Sequence, residues 1–165
     1  MDKEIRRKDR GVTDLNQIIE ILDKAKILHL GLLDHGFPYI VPLHYGYEFH
    51  RGSDKITFYM HGAKAGRKID LINSNSNAGI ELETDIELDS GGDVPCRYGS
   101  FYASFIGTGR ACIVEDDEEK EHALNLLMMN QTGKRFEFDE RMLSSVAVIK
   151  VEVSGYTAKA RRRMM

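Results

Sequence analysis

Three cations and two glycines occupy one short segment of the chain and together could bind an anion. Lys64, Arg67 and Lys68 supply positive charge, while Gly62 and Gly66 let the backbone turn closely. A turn that leads into a helix also directs free backbone N–H groups towards an anion. The same residues would fit a polar turn followed by a solvated, basic helix start, and the segment alone leaves both interpretations open.

The neighbouring residues predict the elements that would hold this loop. Residues 55–60 predict a strand. Ile69, Leu71 and Ile72 then begin an apolar spacing of the helical kind, which predicts a short helix from about Arg67 to Asn73. The loop would therefore join the end of a strand to the start of a helix.

The loop differs from the P-loop of nucleotide hydrolases. Only three residues separate Gly62 from Gly66, and Ile69 stands where Ser or Thr would hold magnesium. No serine or cysteine has the Gly-x-Ser-x-Gly surroundings of hydrolases, so we expect no hydrolysis by a side-chain nucleophile. The six histidines include no H-E-x-x-H and no pair three or four apart on a predicted helix, so we expect no metal site. Phosphate capture without a nucleophile or metal suits a protein that binds a phosphorylated organic cofactor.

Composition excludes several kinds of partner. The 165 residues carry a net charge of -3 with a sequence pI near 6.1, so nothing favours nucleic acid. No apolar run approaches the roughly 20 residues of a membrane span, so we expect no membrane partner. The two cysteines, Cys96 and Cys112, lack metal or redox spacing, which favours a reducing compartment. We therefore expect a cytoplasmic protein with a single domain over residues 1–165.

Capping signals predict three further helices. Asp14 and Gln17 resemble a capping box. The helix that follows them has an apolar stripe of Leu15, Ile18, Ile19 and Leu22. The acidic run 116–119 begins a second helix, because negative charge is favourable at a helix start. Its stripe consists of Ala123, Leu124, Leu127 and Met128. Asp139 predicts the cap of a short helix through Leu143.

A regular alternation from Tyr39 to Glu48 predicts one continuous strand. One face carries Tyr39, Val41, Leu43, Tyr45 and Tyr47, and the other carries Ile40, Pro42, His44, Gly46 and Glu48. Pro42 cannot donate to a sheet ladder, which predicts an edge strand or a bulge with free backbone groups for a ligand or a subunit. Gly46 leaves room for another group to approach.

Six strands are predicted in all, and most are separated by short turns. They cover residues 27–33, 37–48, 55–60, 78–88, 100–114 and 146–153. A hairpin turn at residues 34–36 and a second turn at residues 50–54 join the first three strands as a meander. Gly107 and Gly109 predict a bend or bulge in the long fifth strand. A charged surface arm is predicted over residues 1–12. The fold class is mainly β with peripheral α, a closed or partly open antiparallel barrel rather than a doubly wound parallel sheet.

Short motifs in a fixed order connect the chain to a known family. They are Arg7-Lys8-Asp9-Arg10, residues 36–43, residues 58–63, Gly66-Arg67-Lys68, residues 104–109 and the acidic helix start. In order and spacing the chain resembles the pyridoxamine 5′-phosphate oxidase-like FMN-binding split-barrel superfamily, and within it the group related to nitroimidazole-resistance (nitroimidazole reductase) proteins. The resemblance implies a six-stranded split β-barrel of the antiparallel Greek-key type that binds FMN.

The resemblance also implies a set of cofactor-binding residues. The flavin ring would run along Tyr39, Ile40, Val41, Pro42 and Leu43. The ring or the ribityl chain would be bordered by Met60 and His61. The FMN phosphate would be bound by Lys64, Arg67 and Lys68. Ser104 stands where the oxidases have a glutamine that contacts the flavin.

Two comparisons with the family determine the expected activity: one residue matches the nitroimidazole-reductase relatives, and one motif of the oxidases is missing. In nitroimidazole-reductase relatives a histidine precedes the basic loop, and His61 takes that position; it would donate a proton or contact the substrate, unless it merely caps the loop. Residues 160–163 are followed directly by Met164 and Met165, without the oxidases' C-terminal substrate-binding motif, so vitamin B6 oxidation is not expected.

The resemblance therefore implies an FMN-dependent oxidoreductase that reduces a small molecule, with a nitroaromatic or 5-nitroimidazole as the candidate substrate. It also implies a homodimer with FMN at the subunit interface. The alternative is a non-catalytic flavin- or haem-binding sensor or carrier on the same barrel.

Overall fold

The strands of the protein form one antiparallel sheet. The computed structural model describes residues 5–50 and 55–163 of the chain. Within those ranges the strands are β1 (Gly11–Val12), β2 (Leu28–Asp34), β3 (Phe37–Leu43), β4 (Tyr45–Phe49), β5 (Ile56–Gly62), β6 (Asn77–Asp89), β7 (Gly99–Val114) and β8 (Ala147–Arg161). The α-helices are α1 (Leu15–Lys24), α2 (Arg67–Ser74), α3 (Asp117–Thr132) and α4 (Glu140–Ser145). The strand order is β3-β2-β6-β7-β8-β5-β4, and β1 pairs with β8.

The predicted meander is wrong, because β3 and β4 lie at opposite ends of the strand order. The alternation over residues 39–48 conceals a break at His44, where β3 ends and β4 begins. β3 pairs with β2, whereas β4 pairs with β5. Because a single residue links the two edges, and consecutive Cα atoms lie only about 3.8 Å apart, the sheet must curve until its edges approach each other there. The sheet is thus barrel-like, although its hydrogen bonds follow an open path.

The two faces of this segment are nevertheless as predicted. Tyr45 is fully buried in the core. The other inward residues that pack against the core are Tyr39, Val41, Leu43 and Tyr47. Pro42 lies on the edge strand β3, as its missing N–H predicts. The group that approaches Gly46 is α3, since a Cβ on this glycine would lie 2.3 Å from the backbone carbon of Leu126.

The last strand is longer than predicted and pairs with three others. β8 runs to Arg161, past the expected end at Val153, and pairs with β1, β5 and β7. The predicted bend in β7 is confirmed by a register shift between Thr108 and Gly109. A Cβ on Gly109 would lie 2.0 Å from the carbonyl oxygen of Glu152, so glycine permits the close approach of the two strands.

Aspartates cap the helices where the sequence predicts them. The carboxylates of Asp14, Asp116 and Asp139 accept hydrogen bonds of 3.0, 2.8 and 2.7 Å from the backbone N–H groups of Gln17, Glu119 and Met142. The predicted stripe of α1 is wrong at its first position. Leu15 is 50% exposed, because it begins the helix and the buried face is formed further along by Ile18, Ile21 and Leu22.

The predicted fold class is confirmed at the level of a mainly β protein with peripheral helices. The described residues contain eight strands instead of six, because residues 37–48 contribute two and β1 adds another. Residues 1–4 of the predicted arm and residues 51–54 of the predicted turn lie outside the described residues. Within the described ranges, no helix is long and apolar enough to cross a bilayer. Cys96 and Cys112 are both free and exposed.

Candidate functional site

The predicted anion loop lies between the end of β5 and the start of α2. β5 ends at Gly62 and α2 begins at Arg67, with Gly66 as its N-cap. Gly66 has φ 122° and no side chain to accept from the first helical N–H groups. The N–H groups of Ile69 and Asp70 donate to the Gly66 carbonyl, whereas those of Arg67 and Lys68 precede these bonds and have no partner within the helix. The start of α2 therefore offers donors and a partial positive charge to an anion.

The side chain of Lys68 passes directly over Gly62. A Cβ on Gly62 would lie 2.7 Å from Cε of Lys68 and 2.8 Å from its Nζ. Lys68 is half-buried, whereas Lys64 and Arg67 are exposed. Glycine at this strand end thus lets one ammonium group lie against the backbone of β5, next to His61.

Gly62→Ala is expected to displace the Lys68 ammonium while leaving the stability of the fold nearly unchanged, because the obstructing atoms end a flexible side chain. If the loop binds the phosphate of FMN, the affinity for FMN should fall by about fivefold, equivalent to about 1 kcal/mol of a charge-assisted contact. Fluorescence titration with FMN and thermal unfolding measure the two effects. Gly155→Ala is the matched control, since nothing lies within 4 Å of its Cβ. An equal affinity in both variants would show that Lys68 does not bind the phosphate.

His61 is half-buried at the same strand end. Its Nδ1 is buried and has no hydrogen-bond partner among the described residues. Burial, and then the nearby His44 and Lys68, lower the pKa of His61 below its ordinary value. The imidazole is therefore neutral near pH 7. A buried polar atom without a partner is a position where a ligand can supply one.

His61 is expected to lower the stability of the ligand-free protein in acid. Because the folded state resists a proton that the unfolded chain accepts near pH 6.5, the contribution of His61 is fully present above that pH and is lost as the pH falls towards the lowered pKa. In His61→Gln this part of the pH dependence should disappear. Urea unfolding at about pH 7.5 and about pH 5 measures it. The expectation is wrong if the two proteins lose the same stability between these pH values.

Arg67 connects the loop to β2 and β3. Its guanidinium forms an ion pair with Asp34 at the end of β2, whose side chain is only 8% exposed while that of Arg67 is 66% exposed. The guanidinium carbon also lies 5.2 Å from the centre of the Tyr39 ring. A cavity of about 310 Å³ adjoins this contact and is lined by Asp34, His35, Phe37, Pro38, Tyr39 and Arg67.

The five predicted residues of β3 divide between two faces. Tyr39, Val41 and Leu43 point to the core. Ile40 and Pro42 point outward, and Ile40 is 62% exposed. The outward face borders a groove of about 580 Å³ over β2, β3, β6 and β7. Its lining includes Leu33, Pro38, Ile40, Gly31, Gly79 and Thr108. Of the side chains of β3, a flat ligand in this groove would contact only those that point outward.

The side chains of two predicted residues lie apart from the loop. Met60 is 1% exposed and its side chain lies in the core, so only its backbone is placed to border a ligand. Ser104 lies on β7, opposite Glu83 and Lys159. β8 separates its strand from β5, while β2 and β6 separate it from β3. The structure therefore brings His61 to Lys68 and Arg67 to Tyr39, and places Ser104 further across the sheet.

Sequence reasoning missed two residues of this site. Asp34 is predicted only as part of a turn, yet it is the partner of Arg67. Its one signal is an acidic residue at the end of a strand that is apolar apart from His29. His44 is predicted within a continuous strand, yet it lies at the break between the sheet edges and helps to lower the pKa of His61. No local pattern marks that break.

Comparison with known proteins matches the chain to a family model and to solved structures. The family model described as pyridoxamine 5′-phosphate oxidase matches residues 14–160. A protein described as a candidate 5-nitroimidazole antibiotic resistance protein, from Bacteroides thetaiotaomicron VPI-5482, is 31% identical. Its structure superposes with a TM-score of 0.75 over 90% of this chain and 85% of that chain. A comparison with curated proteins gives no match.

More distant structures share the fold. The flavocytochrome Anf3 from Azotobacter vinelandii is 18% identical, with a TM-score of 0.75 over 96% of this chain and 72% of that chain. An FAD- and haem-binding protein from Mycobacterium smegmatis is 14% identical, with a TM-score of 0.75 over 93% and 74% of the two chains. At these identities the likeness shows the fold alone. The family match, which spans most of the sequence, establishes that the chain belongs to the pyridoxamine 5′-phosphate oxidase family.

Proposed function

We propose that the protein is an FMN-dependent oxidoreductase that reduces a small molecule. The observation that carries the proposal is the arrangement at the end of β5, where Lys68 lies over Gly62 next to His61 and α2 begins at a glycine N-cap. Family membership supports a flavin as the cofactor. FMN ends in a single phosphate, which the three cations of the loop could bind together. The loop therefore favours FMN as the flavin.

The phosphate would be held by backbone and side-chain donors together. The first N–H groups of α2 and the ammonium groups of Lys64 and Lys68 supply charge-assisted donors. Arg67 is paired with Asp34, but a guanidinium has five N–H donors and this one is largely exposed. It can therefore keep its contact with Asp34 and still donate to a phosphate. Asp34 would fix the direction in which Arg67 points.

A bound flavin would supply the hydride or electron transfer that the side chains of this site do not provide. His61 would act beside it through its ring nitrogens. A neutral imidazole has one donor and one acceptor, so at neutral pH His61 can hold a substrate or cofactor group by a hydrogen bond. The negative charge of a phosphate near Lys68 would raise the pKa of His61 and favour proton donation.

The absorbance spectrum of the purified protein tests the cofactor. We expect flavin absorbance as isolated or after incubation with FMN, and bleaching by NADH or NADPH without oxygen. A protein that stays colourless with excess FMN would contradict the proposal. Replacement of His61 by Gln should leave FMN bound and slow the reduction of the substrate, because it removes a titratable group and keeps a hydrogen-bonding side chain.

A 5-nitroimidazole is the substrate we propose, because the relative that is 31% identical is described as a candidate 5-nitroimidazole resistance protein. The flavin-loaded protein, reduced without oxygen, is mixed with a 5-nitroimidazole. We expect reoxidation of the flavin together with loss of nitro-group absorbance. The same imidazole without its nitro group is the control, and equal reoxidation by both compounds would reject this substrate.

The second candidate is a flavin- or haem-binding sensor or carrier without turnover. Two structures with the same fold are named as a flavocytochrome and as an FAD- and haem-binding protein, which keeps this alternative open. A Soret band in the isolated protein would favour haem. A bound flavin that NADH and NADPH cannot reduce would favour a carrier over an enzyme.

We further propose a cytoplasmic homodimer with the cofactor at the subunit interface. Leu33 and Ile40, 49% and 62% exposed, border the same outward groove on the edge of the sheet. Exposed apolar patches of this kind mark interaction surfaces. Light scattering should give twice the 18.7 kDa chain mass, and Ile40→Glu should shift it towards the monomer. A monomeric, flavin-loaded protein would contradict the shared site.

A further inference from the structure

Three side chains with metal-ligating atoms meet on the outward face of β2 and β6. His29 lies opposite Glu81 in the β2–β6 pairing, and Glu83 follows two residues later on the same face of β6. Nδ1 of His29 lies 3.2 Å from an Oε atom of Glu81 and 3.9 Å from an Oε atom of Glu83. One ligand atom from each residue lies within 4.8 Å of those of the other two.

These separations suit ligands that share one metal ion. With metal–ligand bonds of about 2.1 Å, tetrahedral ligand atoms lie about 3.4 Å apart, between the two distances measured from His29. The three side chains come from neighbouring strands of one sheet, so their backbones are held in fixed register. Small side-chain rotations would bring three atoms to one centre without moving the backbone.

Within the described residues, the carboxylates of the cluster have no cationic partner other than a protonated His29. Within the described residues, neither Glu81 nor Glu83 has an ion pair with a lysine or arginine. A cation between the carboxylates would relieve their repulsion.

We propose that His29, Glu81 and Glu83 form a binding site for a divalent transition-metal ion. One imidazole nitrogen and two carboxylate oxygens are a mixed set that suits Zn²⁺, and water completes the coordination. The site is distinct from the phosphate loop, because its residues lie on β2 and β6 while the loop follows β5. It adjoins the stretch of β3 proposed for the flavin ring, since His29 pairs with Pro42, so Zn²⁺ binding is measured on flavin-free protein.

Zinc binding by the purified, chelator-washed protein tests the proposal. Isothermal titration with Zn²⁺ should show one ion bound per chain. Glu81→Gln and Glu83→Gln should each weaken Zn²⁺ binding by more than about tenfold, since even an outer-shell change costs that much. Glutamine keeps the shape of glutamate, and Glu83 is exposed, so circular dichroism should remain that of the wild type.

A matched control comes from another histidine–glutamate pair. His122 and Glu48 lie 2.9 Å apart on α3 and β4, and among the residues that the structure describes they do not belong to a group of three metal-ligating side chains. His122→Asn should therefore bind Zn²⁺ as the wild type does. Visible absorbance of bound Co²⁺ gives a second measurement, and it should be lost in Glu83→Gln and kept in His122→Asn. The proposal fails if the wild type binds no stoichiometric Zn²⁺, or if Glu81→Gln and Glu83→Gln bind it as tightly as His122→Asn.

Discussion

Replacing Arg67 and Lys68 together by alanine is expected to weaken FMN binding by about 100-fold. Each side chain would give a charge-assisted contact to the phosphate, and losing both removes about 2–3 kcal/mol of binding free energy. Fluorescence titration of the variant and the wild type with FMN measures the change. Riboflavin, which lacks the phosphate, should bind the two proteins with similar affinity. An unchanged affinity for FMN in a folded variant would reject the phosphate assignment.

Because Arg67 is paired with Asp34, the double variant is expected to lose stability as well as phosphate contacts. Arg67→Ala leaves a buried carboxylate without its partner, which we expect to destabilise the fold by about 1–3 kcal/mol. Adding Asp34→Asn removes the unpaired charge and should recover most of that stability. The triple variant with Lys68→Ala therefore separates loss of phosphate contacts from loss of folding. Lys68→Ala alone, which breaks no ion pair within the described residues, should lower FMN affinity by about tenfold.

Gly46→Ala is expected to destabilise the protein by about 3 kcal/mol or more. The new Cβ would lie 2.3 Å from the backbone carbon of Leu126 and from the backbone nitrogen of Leu127. A helix backbone cannot rotate away as a side chain can, so α3 would have to separate from β4. Urea unfolding of the variant and the wild type measures the loss of free energy.

Gly155→Ala is the control for Gly46→Ala, because its Cβ meets nothing within 4 Å on β8. Its stability should remain within about 1 kcal/mol of the wild type. Similar unfolding midpoints in the two variants would mean that α3 does not lie as closely on β4 as the structure places it.

Features that depend on a few neighbouring residues could be predicted from the sequence. The caps at Asp14 and Asp139 require only a side-chain oxygen and an N–H three residues later. The turn before β3 has positive φ at both His35 and Gly36, which a tight hairpin needs and which a glycine signals. The loop between β5 and α2 is likewise predicted from its glycines and cations.

Features set by distant residues could not be predicted. No turn residue marks His44, since the break arises only because β3 and β4 pair with different partners. The part of β8 beyond Val153 is polar and glycine-containing, and it is a strand because β7 pairs with it. The contact of Arg67 with Asp34 joins residues that only the completed sheet brings together.

The pairing of β8 determines when the sheet can be completed during synthesis of the chain. β4 and β5 pair with each other. Among the described strands, β5 joins the remainder of the sheet only through β8, which leaves the ribosome after the other seven. Until then the free edges of β5 and β7 are exposed, and such edges can pair with other chains. We expect nascent chains that stop before Ala147 to depend on chaperones.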